Sequence, residues 1–409
     1  MSDPSELPRL LVQHAEACPF DPPEELARLR AERPVAPMTY PDGHKGWLVT
    51  EHALVREVLA DPRFSHRAEL VHFPLPGASL NAEPQPAPPG AFTAMDPPEH
   101  TRYRQLLTGQ FTVRRMRRWT TRIEEIAAEL LTAMERHGPP VDLVETFSGP
   151  LPGLVICELL GVPAGDQDEF VRAMSVLGRL DVPAGEKAAA FGRMQALMLD
   201  LIRAKRERPT DDLLGGLVSG GDLTDDELAV IGGVLTGAGF DTTANMIATG
   251  VFALLSHPGQ LAELRSDPAL AGNAVEELLR YLSIIPATVR AALEDVELGG
   301  TLIKAGQSVT VSVPAANRDP KHFPDPGTLD LHRPTSAHVA FGHGVHQCLG
   351  QQLARVEMQV AIPALLDRFP SLRLAVPPEE IPMREDMLIY GVHRLPVTWD
   401  VPAHKENRS

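Results

Sequence analysis

The chain has 409 residues, with 54 Asp and Glu against 38 Lys and Arg, and a net charge of −16. That acidic balance argues against non-specific binding to nucleic acid or an anionic membrane. The first twenty residues carry acids and prolines where a secretory leader needs a basic end and an apolar run, and no stretch offers about 20 uninterrupted apolar residues, so a cytoplasmic protein without a membrane anchor is expected. In chain order, the pattern predicts a short helix over Pro22 to Glu32, a strand near Gly46 to Thr50 and a helix over His52 to Ala60. Pro74, Pro76, Pro84, Pro86, Pro88 and Pro89 exclude a long regular element after Ser65, and predict a functional loop or mobile lid over about 65–95. Asp96 and Pro97 read as the cap and first position of the next helix. Helical periodicity runs from Glu99 to about His257, with breaks expected at Gly138, Gly149 and Gly161. Short strands are expected between Thr288 and Val313 and again near Leu388 to Trp399. No repeat or flexible linker divides the chain, which reads as a single domain over 1–409, mainly α with small β-sheets (α+β).

Two segments carry chemistry. Thr224 to Glu227 reads TDDE, a capping box, and opens a helix that His257-Pro258 stops. Such a helix would be roughly 48 Å long at 1.5 Å per residue. Its middle holds Gly237, Gly239, Thr242 and Thr243, residues that weaken a helix or compete for its carbonyls, so a bulge or kink is predicted there. Close helix packing on the glycines is the competing explanation. The acid beside an alcohol, Asp241 with Thr242, could relay protons through ordered water.

Cys18, Cys157 and Cys348 are too few and too far apart for a disulfide framework or paired zinc knuckles. Cys348 lies in AFGHGVHQCLG, a glycine-rich loop directly before the helical pattern QQLARVEMQVAIPALLDRF. A helix N-terminus there would lower the thiol pKa and present an anionic metal ligand. Gly342, Gly344 and Gly350 leave room for a flat cofactor. A buried structural cysteine is the ordinary alternative. A zinc site from His343, His346 and Cys348 would lack a fourth ligand.

The segment resembles the cytochrome P-450 signature, Phe-Gly-x-Gly-x-His-x-Cys-x-Gly, at every fixed position from Phe341 to Gly350. Further motifs resemble the same family in order along nearly the whole chain, from Trp47 to Trp399. The resemblance implies the cytochrome P-450 fold, with haem b between the long distal helix and the proximal cysteine loop, and Cys348 as its axial thiolate ligand. It implies Phe341, Gly342, Gly350 and Ala238 beside the haem, and His100, Arg104, Arg290 and His346 at its propionates. By the family's Ala-Gly-x-acid-Thr motif, Ala238 to Thr242, the catalytic pair would be Asp241 and Thr242. Glu277 and Arg280, three apart on one helix face and by themselves an ordinary exposed pair, would join Arg333 in a buried structural triad.

The implied reaction is monooxygenation, hydroxylation or epoxidation, of a hydrophobic small molecule of terpenoid, steroid, macrolide or polyketide type. Expected pocket walls are the 65–95 loop, Met174 to Phe191, Val234 to Ala238, Ile285 to Val289 and Leu388-Ile389, and within them Phe92, Met174, Leu177, Val234, Ile285, Thr288 and Ile389. No nicotinamide or flavin domain is visible, so electrons would come from a ferredoxin and its reductase. Arg114, Arg115, Arg117 and Arg118 are the expected docking patch, though such a run is usually a solvated face. A monomer is expected. The alternatives are a peroxide-driven haem-thiolate enzyme and a catalytically silent haem-binding protein, with a helical regulatory protein that binds no haem as the third.

Overall fold

The helix Asp225–Ser256 runs through the centre of the molecule, and its sequence explains why it starts where it does. Thr224 Oγ1 accepts from the Glu227 backbone N–H at 3.2 Å, and Glu227 Oε2 accepts from the Thr224 N–H at 2.8 Å, closing the capping box. The computed structural model describes residues 3–11, 13–15, 18–75, 85–179, 182–334 and 337–401. Within it the central helix is α-helical throughout, and the bulge predicted around Gly237 to Thr243 does not interrupt its regular assignment. Thr242 donates instead to the Ala238 carbonyl at 2.6 Å, as Thr236 does to Gly232 at 2.8 Å, so the hydroxyls are satisfied within the helix. The glycines serve packing. A Cβ at Gly232 would fall 2.5 Å from Met198 Sδ, and one at Gly239 would fall 3.1 Å from Ile156.

Pro150–Leu160, Ala184–Glu207, Ala271–Leu282 and Gln351–Arg368 pack around this helix and bury it on nearly every side. Helices Glu24–Glu32 and His52–Ala60 form as their patterns predict. Gly138 and Gly161 end helices with φ of 79° and 71°, where an L side chain would be strained. The break expected at Gly149 is a short one: Gly149 separates the π-helical turn Val144–Ser148 from the helix Pro150–Leu160, which Pro150 opens, and its N–H donates to the Val144 carbonyl.

A five-stranded sheet flanks the helices, in the order Val35–Thr39, Lys45–Val49, Ser308–Ser312, Ala287–Ala292 and Phe64–Ser65. Only the pair Lys45–Val49 with Ser308–Ser312 is parallel. The edge strand Val35–Thr39 escapes the sequence patterns because Pro37 sits in it, which an edge tolerates. The expected β patch over Leu388 to Trp399 shrinks to Pro396–Thr398, paired with Val141–Asp142 and Arg373–Leu374.

Among its described residues the proline-rich stretch holds no long element, only the 3-10 turn Phe92–Ala94. Residues 76–84 of the expected lid lie outside the described residues. The following helix begins at Glu99, later than expected, and Asp96 is not its side-chain cap. Asp96 Oδ1 accepts instead from the His66 N–H at 2.9 Å, across the base of the loop. No helix among the described residues is long and apolar enough to cross a membrane, and all three cysteines are free.

Candidate active site

The loop before Gln351–Arg368 is shaped by glycines. Gly342 and Gly344 adopt φ of 69° and 74°, and a Cβ at Gly344 would meet the Leu59 carbonyl at 2.4 Å. The Cys348 N–H donates to the Phe341 carbonyl at 2.9 Å, which folds the loop back and fixes the cysteine just ahead of the helix. The thiol is not acidified as the helix start suggested. Burial pushes its pKa up and outweighs the hydrogen bonds from the Gly350 and Gln351 backbone and the charges of Arg104 and Arg355. A cationic metal at the sulfur would reverse that balance by supplying the missing countercharge.

Cys348 borders a cavity of about 360 Å³ whose opposite wall is the central helix. Phe341, Gly342, Leu349 and Gly350 flank the cysteine, and Val234, Leu235, Ala238, Gly239, Thr242 and Thr243 face them. Of the side chains expected to line a substrate pocket, Phe92, Val234, Ile285 and Thr288 border this cavity. Leu177 and Ile389 are not among the bordering residues; both pack against the main core. The side chain of Met174 lies outside the described residues.

One edge of the cavity gathers two arginines and three imidazoles. His100, Arg104, Arg290 and His346 all border it, as does His66, which sequence reasoning missed. The His346 ring centroid lies 4.2 Å from that of His100 and 5.0 Å from that of His66. Arg104 donates to the Gln347 carbonyl at 3.0 Å, and Arg290 to the Val289 carbonyl at 2.8 Å and Thr288 Oγ1 at 3.1 Å. Among the described residues, none of the five forms an ion pair with a carboxylate. Burial, together with the neighbouring cations, lowers His346 to about 3, and burial lowers Arg290 to about 10. The Nδ1 atoms of His66 and His100 are buried without a hydrogen-bond partner. Two guanidinium groups and three imidazoles without a carboxylate partner suit a ligand with a doubly anionic edge, which is what haem propionates present. Gly350 adds to the fit, because nothing stands within 4 Å of where a Cβ would be on this wall of the cavity. Among the described residues no three His, Cys, Asp or Glu side chains come together as a metal-ion ligand set, so His343, His346 and Cys348 do not form a zinc site.

The acid and the alcohol of the central helix are separated in role by their surroundings. Thr242 borders the cavity, whereas Asp241 does not. Asp241 Oδ1 accepts from Arg384 Nη1 at 2.8 Å and from Asn245 Nδ2 at 3.0 Å, and Oδ2 accepts from Arg384 Nη2 at 3.0 Å. Sequence reasoning also missed Glu357, which borders the cavity from the proximal helix. Burial pushes its carboxyl well above the usual range, and Oε2 has no partner.

Glu277 and Arg280 are fully buried and form a bidentate pair at 2.7 and 2.8 Å, which Arg333 Nε joins at 3.1 Å. The two guanidinium groups also donate to the carbonyls of Asn317, Thr328, Pro324, Asp325 and Pro326. The triad thereby pins the 317–333 segment on which the cysteine loop continues. Arg114, Arg115, Arg117 and Arg118 are exposed on short turns that pack against the proximal helix.

Comparison with known proteins agrees with this geometry. A family model described as Cytochrome P450 matches residues 197–398. Cytochrome P450 105C1 of a Streptomyces species is 50% identical over 382 residues, covering 93% of this chain and 96% of its own. Vitamin D3 dihydroxylase of Streptomyces griseolus is 41% identical, covering 94% of this chain and 95% of its own. Among solved structures, CYP105P1 in complex with filipin I superposes with a TM-score of 0.89 at 44% identity, covering 95% of this chain and 98% of the other. The chain belongs to the cytochrome P450 family and is a monooxygenase of its CYP105 group, with the haem-thiolate cofactor that the family implies.

Proposed function

We propose that Cys348 would supply the thiolate ligand of a haem held in this cavity, and that the enzyme hydroxylates or epoxidises an uncharged hydrophobic small molecule. The observation that carries the reading is the cavity itself, which Cys348 and Thr242 both border together with two arginines and three histidines that have no carboxylate partner. His100, Arg104, Arg290 and His346 would hold the propionates, and Ala238, Phe341, Gly342 and Gly350 would flank the ring. When bound, the group supplies the redox iron at which dioxygen and two electrons are consumed, one oxygen atom entering the substrate and the other leaving as water.

The chain's own residues orient the substrate and move protons. Phe92, Val234 and Ile285 present apolar surface, and Thr288 one hydroxyl. The charged edge is given over to the cofactor, which favours a neutral substrate. Two protons are needed per turnover. Thr242 would hold the water that carries them, and Asp241 would pass them inward from its pair with Arg384. One relative is by its name a vitamin D3 dihydroxylase, and CYP105P1 is solved in complex with filipin I; with the apolar lining of this cavity, a hydrophobic secondary metabolite is the substrate class proposed.

Electrons would arrive from an acidic ferredoxin, reduced by its own reductase, docking as a transient partner of a monomeric cytoplasmic enzyme. Arg114, Arg115, Arg117 and Arg118 support this, as exposed cations on an acidic chain, beside the helix that follows Cys348. A peroxide-driven enzyme would not need the acid and alcohol pair that this chain retains. The test is a carbon monoxide difference spectrum of the reduced protein, followed by a screen of apolar ligands for a Soret spin-state shift. Thiolate ligation gives the red-shifted band of the family; a band at the position of histidine-ligated haem would overturn the assignment of Cys348. Oxygen consumption without product from any ligand that shifts the Soret band would favour a silent binder.

A further inference from the structure

His66 stands where two parts of the molecule meet. It directly follows the strand Phe64–Ser65, whose Ser65 pairs with Ala291 next to Arg290, and it opens the proline-rich loop. Its backbone N–H donates to Asp96 Oδ1 at 2.9 Å, and its ring lies against the Thr93 backbone, so it clasps the first residues of the loop to the last. Its ring borders the cavity beside His346, and its buried Nδ1 has no partner. A buried imidazole nitrogen left unpaired among cations is costly unless an anion completes it.

We infer that His66 is a further ligand of the cofactor's carboxylates, and that through it the bound cofactor closes the neck of the substrate loop. The inference rests on the reading that this cavity holds haem. With Nε2 turned to the Thr93 backbone and Nδ1 donating to a carboxylate, the imidazole ties three things together: the cofactor edge, residue 93 at the loop's end and residue 66 at its start. His66 is a positioning residue in this role. It fixes the loop relative to the cofactor and takes no part in proton transfer to dioxygen.

The test uses the haem-loaded protein, His66→Phe, which keeps a ring but no donor, and His66→Gln, which keeps a donor. Haem transfer to excess apomyoglobin should be about tenfold faster from the Phe variant, the size of one charge-assisted hydrogen bond, and within about threefold of wild type for the Gln variant. Reconstitution with haem dimethyl ester separates a carboxylate contact from simple packing. The wild-type protein should release the diester as fast as the Phe variant does, with no further acceleration by the substitution. Hydrogen exchange at residues 64–68 and 92–96 should slow on haem loading in the wild type, and this slowing should be lost in the Phe variant. Wild-type release rates from the Phe variant, or equal acceleration with haem and with its diester, would overturn the role of His66 and leave the haem reading standing. A wild-type protein that takes up no haem would overturn that reading itself.

Discussion

Cys348, on the loop ahead of Gln351–Arg368, and Thr242, on the central helix, border one cavity, and single substitutions should separate their contributions. Cys348→Ala removes the sulfur, and the reduced carbon monoxide spectrum should lose its thiolate-type band even if haem is retained. Thr242→Ala should keep the spectrum and lose coupling. Oxygen uptake should continue while product per oxygen falls several-fold and hydrogen peroxide accumulates, as expected for a proton relay worth 10²–10⁴-fold or part of it. Unchanged product per oxygen in this variant would remove Thr242 from the relay. Residues of this kind are legible in sequence because their chemistry demands fixed spacing within one segment, as in Phe341 to Gly350. Arg384 and His66 are not. Arg384 lies 143 residues from Asp241, and His66 lies 30 residues from Asp96; no local pattern connects either pair. The helix start favours the Cys348 thiolate through the Gly350 and Gln351 backbone, as its place in the sequence suggests, whereas the burial that opposes it is set by the fold.

At the scale of elements, the Glu277, Arg280 and Arg333 cluster is the most exacting joint. Glu277 and Arg280 are wholly buried, so Glu277→Ala strands two guanidinium groups in the interior. The expected cost is about 3–5 kcal/mol, read as a lower midpoint in urea unfolding, with haem lost before global unfolding. A loss under about 1 kcal/mol would mean that the carbonyls around Arg280 and Arg333 satisfy them without Glu277. The capping box is a smaller joint. Thr224→Ala should cost about 1 kcal/mol of stability, since Glu227 keeps its bonds to Arg102 and Tyr103. The start and stop of the central helix were readable because caps and prolines act locally. The absence of a bulge was not, since whether Thr242 bonds its own helix or breaks it depends on how Ile156 and the neighbouring helices close around Gly239.

Across the whole molecule, two carboxylates, Glu227 buried and Glu276 half-buried, hold separate regions together and should govern its behaviour in acid. Burial alone would raise Glu276, but hydrogen bonds from His338 and Arg355 outweigh it and hold the carboxyl at about 2. Glu227, raised by burial and lowered by Arg102, Thr224 and Tyr103, is likewise held at about 2. Glu276 joins the Ala271–Leu282 helix to the proximal helix and to His338 before the cysteine loop. Glu227 joins the start of the central helix to the helix after the substrate loop. Both folded pKa values lie below the unfolded value of 4.5, so each pair contributes stability that is complete above that pH. The contribution then falls as pH drops from 4.5 toward 2, by up to about 1.4 kcal/mol per pH unit for each group. Urea unfolding followed over this range should show the loss in wild type. In Glu276→Gln the slope should be shallower by one group and the stability at neutral pH lower. A variant whose acid slope matches that of the wild type would show that the Glu276 clasp is not what fails in acid.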